Sequence, residues 1–263
     1  MALATLQAVV DALTSTVDYL RVSVDAPGED WLPCEALCTD AVTLHTVVAT
    51  TKSANGISAE NEPAVSVTER AAAQRGDTVA MSLFVQGYVF RAATVLIGGW
   101  LLDDVIVGGA PGGWSMALGR GRPNAVRLAG DVPVSAAASV GDVHGALIDG
   151  HLAVLIDTAH EACRVGRALL WGNVAASCAA AFGAFAAARP GVGERAEEFF
   201  AAARPDVRDA GRLVRVGERF AWERRSCCLW YRTDSGFMCE DCSLRPAAEH
   251  EARCAAMAAE VWP

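Results

Sequence analysis

"VAMSLFVQGYVFRAATVLIGGWLL", Val79 to Leu102, is long enough to cross a bilayer, and its reading decides the kind of fold. Arg91 lies near its middle, where an arginine costs about 2.5–3.5 kcal/mol on insertion scales, and Gln86 adds to the penalty. The stretch therefore reads as a buried or half-buried helical segment of a globular body. Peripheral membrane contact is the membrane role left to it. Composition agrees with a packed interior: hydrophobic residues make up 52% of the 263 and charged residues 20%. That length suits one large domain, or a main body with a small appendage.

The net charge of −9 argues against a nucleic-acid partner. Arginine supplies almost all the positive charge, Lys52 being the only lysine. The opening "MALATLQAVVDALTSTVDYL" has neither a basic n-region nor an unbroken apolar h-region, so the expected location is cytoplasmic. In that reducing compartment cysteines more often mean metal or redox chemistry than disulfides.

Outward from the apolar stretch, periodicity divides the chain. Leu3, Leu6, Val9, Val10, Leu13, Val17 and Leu20 recur at helical spacing. A short helix is expected over Ala41 to Thr50 with Asp40 as its cap, followed by the polar loop "TTKSANGISAENEP". Between Asp104 and Pro133, short apolar runs divided by Gly and Pro suit strands and turns. Helical spacing returns from Asp142, continues through "RALLWGNVAASCAAAFGAFAAAR" and "ERAEEFFAAAR", and gives way to an extended segment from Gly211. An alanine-rich helix closes the chain. The expected class is α+β: a predominantly α-helical body with a short strand-containing segment and a small C-terminal module. The seam falls near Pro205 to Arg212, dividing residues 1–211 from 212–263.

Four of the nine cysteines fall in "SCCLWYRTDSGFMCEDCSL", Ser226 to Leu244, as CC-x10-C-x2-C. Four thiolates suit an iron–sulfur cluster and equally a structural zinc ion. A C-x-x-C turn fits either. Adjacent cysteines in regular extended chain point to opposite sides, so Cys227 and Cys228 serve one site only if the backbone kinks. On residues alone, cluster and zinc both stand.

The stretch "RRSCCLWYRTDSGFMCEDCSL" resembles the C-terminal signature of FhuF-type ferric siderophore reductases, including the aromatic-Arg pair Tyr231-Arg232 after the CC. "LLWGNVAAS", Leu169 to Ser177, resembles a recurrent upstream stretch of the same family. The resemblance implies a [2Fe-2S] cluster on Cys227, Cys228, Cys239 and Cys242, a ferric siderophore as substrate, and one-electron reduction of its iron. Cys239 and Cys242 are expected on one iron and the adjacent pair on the other. Because no flavin or nicotinamide fingerprint is present, the electron is expected from reduced ferredoxin or a similar carrier. The rival readings are a [2Fe-2S] carrier or redox sensor without siderophore turnover, and a non-redox binding protein whose four cysteines hold structural zinc.

Arg224, Arg225 and Arg232 flank the cysteines and are candidates for docking substrate or donor, against the plainer alternative of pairing with Glu218, Glu223, Asp234, Glu240 and Asp241. Trp171 and Asn173 are further docking candidates, with core packing and helix capping as their structural alternatives. Cys34 and Cys38, spaced i, i+4, read as two packed thiols, and Cys163, Cys178 and Cys254 as small core residues. His144, His151 and His160 read as hydrogen-bonded structural residues. "GGAPGGW", Gly108 to Trp114, reads as a turn.

Overall fold

A computed structural model describes residues 4–26, 28, 30–57, 67–137, 139–216, 219–234 and 237–259. Helix accounts for 59% of the chain, with short strands between helices, so the class is α+β.

The sequence begins with α1 (Leu6–Thr16), capped by the Thr5 hydroxyl on the Ala8 N–H. Apolar spacing runs on to Leu20, but the helix stops at Thr16. Thr14, Ser15 and Thr16 turn their hydroxyls back onto carbonyls of the preceding turn, competition that weakens a helix end. Val17 and Leu20 stay buried in the irregular chain that follows. Next come β1 (Val22–Val24), β2 (Leu32–Pro33) and α2 (Cys34–Thr39).

In α3 (Ala41–Ala54), the Asp40 carboxylate accepts from the Val42 and Thr43 N–H groups, the cap its sequence predicts. The helix passes Thr50, where a loop is expected, because tertiary contacts hold its polar last turn. Thr51 Oγ1 donates to the Gly121 carbonyl at 2.6 Å, and Lys52 pairs with Asp77 at 2.8 Å. The end of that expected loop, 58–63, lies outside the described residues.

The opening stretch lies in α4 (Val67–Asp103), which packs along α7 (Arg167–Phe185) through the middle of the molecule. Both helices are apolar and long enough to span a membrane, and both are mostly buried inside the protein. Phe84, Tyr88, Leu96 and Trp100 from α4 meet a core that includes Phe182 and Phe185 from α7. The apolar surface that suggested membrane contact is thus covered by the protein itself. Gly98 makes the crossing possible: a Cβ there would stand 2.3 Å from Leu13 Cδ2 and 2.5 Å from Phe185 Cζ.

The expected strand region yields β3 (Val105–Val107), β4 (Trp114–Gly119) and β5 (Arg122–Leu128), with β6 (Val134–Ala136) just beyond. A four-stranded sheet runs in the order β1-β5-β4-β2, with β1 parallel to β5 and the other pairs antiparallel; β3 pairs with β6. The glycine-rich "GGAPGGW" includes a 3₁₀ turn, Pro111–Gly113, leading into β4.

From α5 (Val140–His144) the chain continues as a π-helical stretch, Gly145–Leu152, and then α6 (Ala153–Cys163). After α7 come α8 (Val192–Ala202) and α9 (Pro205–Arg208). The antiparallel hairpin of β7 (Gly211–Val216) and β8 (Arg219–Arg224) leads to the cysteines, and α10 (Ala247–Ala259) packs back on it. Trp222 of β8 stacks on Phe200 of α8, ring centroids 4.3 Å apart, which ties the hairpin to the helical core.

Candidate metal centre

Beyond β8, Ser226 lies against Gly172 of α7, where a Cβ would stand 1.8 Å from Ser226 Oγ. The absent side chain lets the cysteine-bearing link settle on the helix. Cys227 and Cys228 follow, and then Leu229 at φ +68°, a left-handed conformation that a side chain makes costly. This is the kink that adjacent cysteines require. It turns the Leu229 N–H onto Cys227 Sγ at 3.3 Å and starts a 3₁₀ turn, Trp230–Arg232. Cys227 is half-buried and Cys228 buried.

The second half is a tight turn. Cys242 N–H donates to the Cys239 carbonyl at 3.2 Å, and Arg245 N–H donates to the Cys242 carbonyl at 3.2 Å. Cys242 is buried and Cys239 half-buried. Cys228 Sγ and Cys239 Sγ lie 3.8 Å apart. Two thiolates on one tetrahedral ion, at metal–sulfur distances of about 2.3 Å, would be separated by about 3.8 Å. This contact runs between the two halves of the motif, across the pairing expected from adjacency.

Hydrogen bonds from the Cys227 and Cys239 thiols, helped by the Arg224 guanidinium, pull the Cys228 thiol well below the usual range; Cys227 and Cys239 are pushed up by their bonds to it. One sulfur of the set is therefore drawn toward the thiolate form that a metal requires.

A buried hydrogen-bond chain supports the site. Arg224 Nη2 donates to Asn173 Oδ1 at 2.6 Å. Asn173 Nδ2 donates to the Ser82 carbonyl at 3.0 Å and to Ser82 Oγ at 2.8 Å. Ser82 Oγ donates in turn to the Cys228 carbonyl at 2.8 Å. Arg224 is 3% exposed, lies 3.8 Å from Asp241, and keeps a buried Nε without a partner.

These positions change the reading of several candidates. Arg224 and Asn173 are interior groups that grip the cysteine segment, and neither presents a docking surface. Gly172-Asn173 is no helix boundary, because α7 runs through it unbroken. Trp171 is buried beneath the Arg204 guanidinium, 4.6 Å from its ring, yet it helps line a cleft of about 390 Å³ with Pro205, Asp209, Arg225 and Ser226. Arg225 is exposed there and donates to the Asp209 carbonyl at 2.8 Å. Arg232 is also exposed and donates to its neighbour Tyr231 Oη at 2.9 Å. Of the expected carboxylate partners, Asp241 meets Arg224, Glu223 meets Arg212, and Glu240 meets Arg253; Glu218 lies outside the described residues.

Two participants carry no local sequence signal. Ser82 is one serine in an apolar helix. Arg122, at the start of β5, holds its guanidinium 4.7 Å from the Trp230 ring centroid, and burial lowers its pKa against a smaller opposing effect of Cys228.

Residues 224–244 match the FhuF 2Fe-2S C-terminal domain. No curated protein matches the chain. The FhuF segment opens on Arg224 and spans all four cysteines, and it implies a [2Fe-2S] cluster. The residues present fit such a group. Four thiols can supply its ligands, and a buried guanidinium with an unpartnered Nε stands beside them to meet its negative charge.

The remaining thiols and histidines are otherwise engaged. Burial pushes Cys34 and Cys38 up, to about 12 and about 11, beside the Tyr88 hydroxyl. His144, His151 and His160 each place a ring nitrogen on a backbone carbonyl: Phe199, Gly109 and Val165.

Proposed function

We propose that the protein is a cytoplasmic siderophore-iron reductase. It takes one electron from a reduced ferredoxin or similar carrier and passes it to siderophore-bound Fe(III). Residues 1–211 would form the siderophore-binding body and residues 212–263 the [2Fe-2S] module, with Cys227, Cys228, Cys239 and Cys242 as ligands.

The observation that carries this reading is the FhuF-type segment with its four cysteines, two of them half-buried near the surface. When bound, a [2Fe-2S] cluster supplies one-electron transfer. The protein's own residues provide the setting. Leu229 bends the chain so that adjacent thiols can serve one site. Arg224, held by Asn173, places positive charge beside them. The cleft at Trp171, Arg225 and Ser226 offers an approach beside Cys227.

The chemistry suits the substrate. Siderophore oxygen donors are hard ligands that favour Fe(III), so adding one electron weakens the complex and lets Fe(II) leave. No general base or nucleophile is needed.

The test is anaerobic incubation of the reduced holoprotein with ferric siderophores, with a ferrous chelator trapping the product. Saturable, catalytic Fe(II) release is expected. A protein that gives up its electron without substrate saturation is a carrier, and one that binds zinc without visible absorption is no reductase.

A further inference from the structure

We propose that Tyr88 and His151, with the paired thiols of Cys34 and Cys38 beside them, form a buried redox site that takes up one-electron oxidising equivalents and stores them as a disulfide. The proposal stands apart from the reductase reading; ferrous iron released by a reductase would, with peroxide, be one source of such oxidants.

All four residues are fully buried. The cysteines come from α2, Tyr88 from α4, and His151 from the π-helical stretch Gly145–Leu152. Stretches of that kind inside helices are frequent at functional sites. His151 Nδ1 lies 2.6 Å from the Gly109 carbonyl, which can only accept, so the ring's proton sits on Nδ1. Burial holds the ring neutral, which leaves Nε2 an acceptor, and Tyr88 Oη donates to it at 2.6 Å. Close packing fixes the imidazole and its carbonyl partner. A Cβ on Gly109 would stand 2.1 Å from the Ala146 carbonyl oxygen, and Trp114 meets the imidazole edge-on at 5.2 Å.

A phenol bonded to a neutral imidazole can lose an electron and its proton together, because a base is already in place. Of the chain's three tyrosines, Tyr88 alone among the described residues has such a partner. Tyr231 Oη instead accepts from the Arg232 guanidinium, which cannot take a proton. Cys38 Sγ lies 3.9 Å from Tyr88 Oη, and since the phenol's proton is given to His151, the thiol is the donor. Cys34 is one turn back on the same helical face and reaches the same hydroxyl. Burial keeps both thiols protonated, which shuts out thiolate attack on peroxide or a disulfide. It leaves them in the form that donates a hydrogen atom.

An oxidant that removes an electron from Tyr88 sends its proton to His151 Nε2. Cys38 then gives a hydrogen atom from Sγ to the phenoxyl oxygen and becomes a thiyl. Its sulfur bonds to that of Cys34 as the Cys34 thiol releases its proton, and a second equivalent of oxidant removes the odd electron. Two thiols thus give up two electrons and two protons, two oxidant equivalents are reduced, and the phenol and imidazole are restored once His151 passes its proton to water. Residues four apart on a helix have Cα atoms about 6 Å apart, within the disulfide range. Helix α2 has only 6 residues, so the local closure that joins the sulfurs disturbs little regular structure.

The test is anaerobic photo-oxidation of the holoprotein by flash-quenched tris(bipyridine)ruthenium(III), with no siderophore present. Peptide mapping reads the disulfide, and electron paramagnetic resonance reads the phenoxyl. Wild type is expected to gain a Cys34–Cys38 disulfide and to show only a short-lived phenoxyl signal. The double variant Cys34→Ala, Cys38→Ala should hold that signal longer, and adding Tyr88→Phe to it should remove the long-lived signal. Tyr88→Phe alone should lose the disulfide. His151→Gln, which offers the phenol an amide in place of a base, should form the radical more slowly. If the variants do not fold, wild type in deuterated water is the second measurement: the disulfide should form more slowly there, because a proton moves with the electron. No Cys34–Cys38 disulfide in wild type, an equal yield in Tyr88→Phe, or the same disulfide from peroxide alone overturns the proposal. So do variants that shift the unfolding temperature and leave disulfide yield and radical lifetime unchanged.

Discussion

Arg224 is a charge enclosed by protein, held by Asn173 on one side and facing Asp241 on the other. With four thiols nearby, its charge would stabilise the reduced, more negative form of a cluster held by them. Replacing it with an uncharged donor, Arg224→Gln, should therefore lower the midpoint potential by roughly 50–100 mV, since about 60 mV corresponds to a tenfold change for one electron. Spectroelectrochemistry checks this; an unchanged potential would mean that Arg224 only packs. Asn173→Ala leaves that guanidinium short of an acceptor and should cost about 1–3 kcal/mol of stability, read from denaturant unfolding of the holoprotein. Residue chemistry also sets a pH response in the core. His151 is fully buried, bonded to Tyr88 Oη and the Gly109 carbonyl at 2.6 Å each, and burial lowers it to about 4. Above its unfolded value of about 6.5 it is neutral in both states. As pH falls below that value, the unfolded chain takes a proton that the folded one refuses. Stability should drop by about 1.4 kcal/mol per pH unit until about pH 4, roughly 3 kcal/mol in all. Urea unfolding of wild type and His151→Gln at about pH 7.5 and about pH 5 checks the sign: wild type should lose more.

Elements meet where side chains are absent as much as where they are large. At Gly98 the face of α4 admits both Leu13 from α1 and Phe185 from α7, all deep in the core. Gly98→Ala should force those side chains apart and cost about 1–3 kcal/mol by overpacking, despite alanine's better helix propensity. Thermal unfolding measures the net effect, and a rise in Tm would show that the packing relaxes. At this scale the sequence was legible wherever one element's own chemistry set it. Asp40 caps α3 as its position predicts. The short apolar runs after Asp104 are strands. It was less legible where another element decided. Thr51 extends α3 because Gly121, far along the chain, accepts its hydroxyl. Strand β1 is three residues made regular by pairing with β5. Neither signal exists within a local window of sequence.

The whole molecule couples its C-terminal segment to the helical core at a few named places: Trp222 on Phe200, Arg224 on Asn173, and Ser82 on the Cys228 carbonyl. None of these needs a metal. Stripping iron with a chelator should therefore loosen the cysteine loops while leaving the helical body folded. Hydrogen exchange should lose protection in segments covering 227–244 and keep it in α4 and α7, with little change in far-UV circular dichroism. Global unfolding on metal removal would instead make the cluster a folding requirement.

By itself the sequence determined the thiol set of the centre and the character of the long apolar segment. Four thiols in CC-x10-C-x2-C are a local pattern, and an arginine amid an apolar run is a local penalty, so both can be read without a fold. Tertiary structure alone decided which polar groups surround that centre. Ser82, Arg122 and Asn173 reach the cysteine segment from α4, β5 and α7, across separations too long for any spacing rule. It also decided that Arg224 lies inside. Burial and charge neighbours arise only when distant segments pack together.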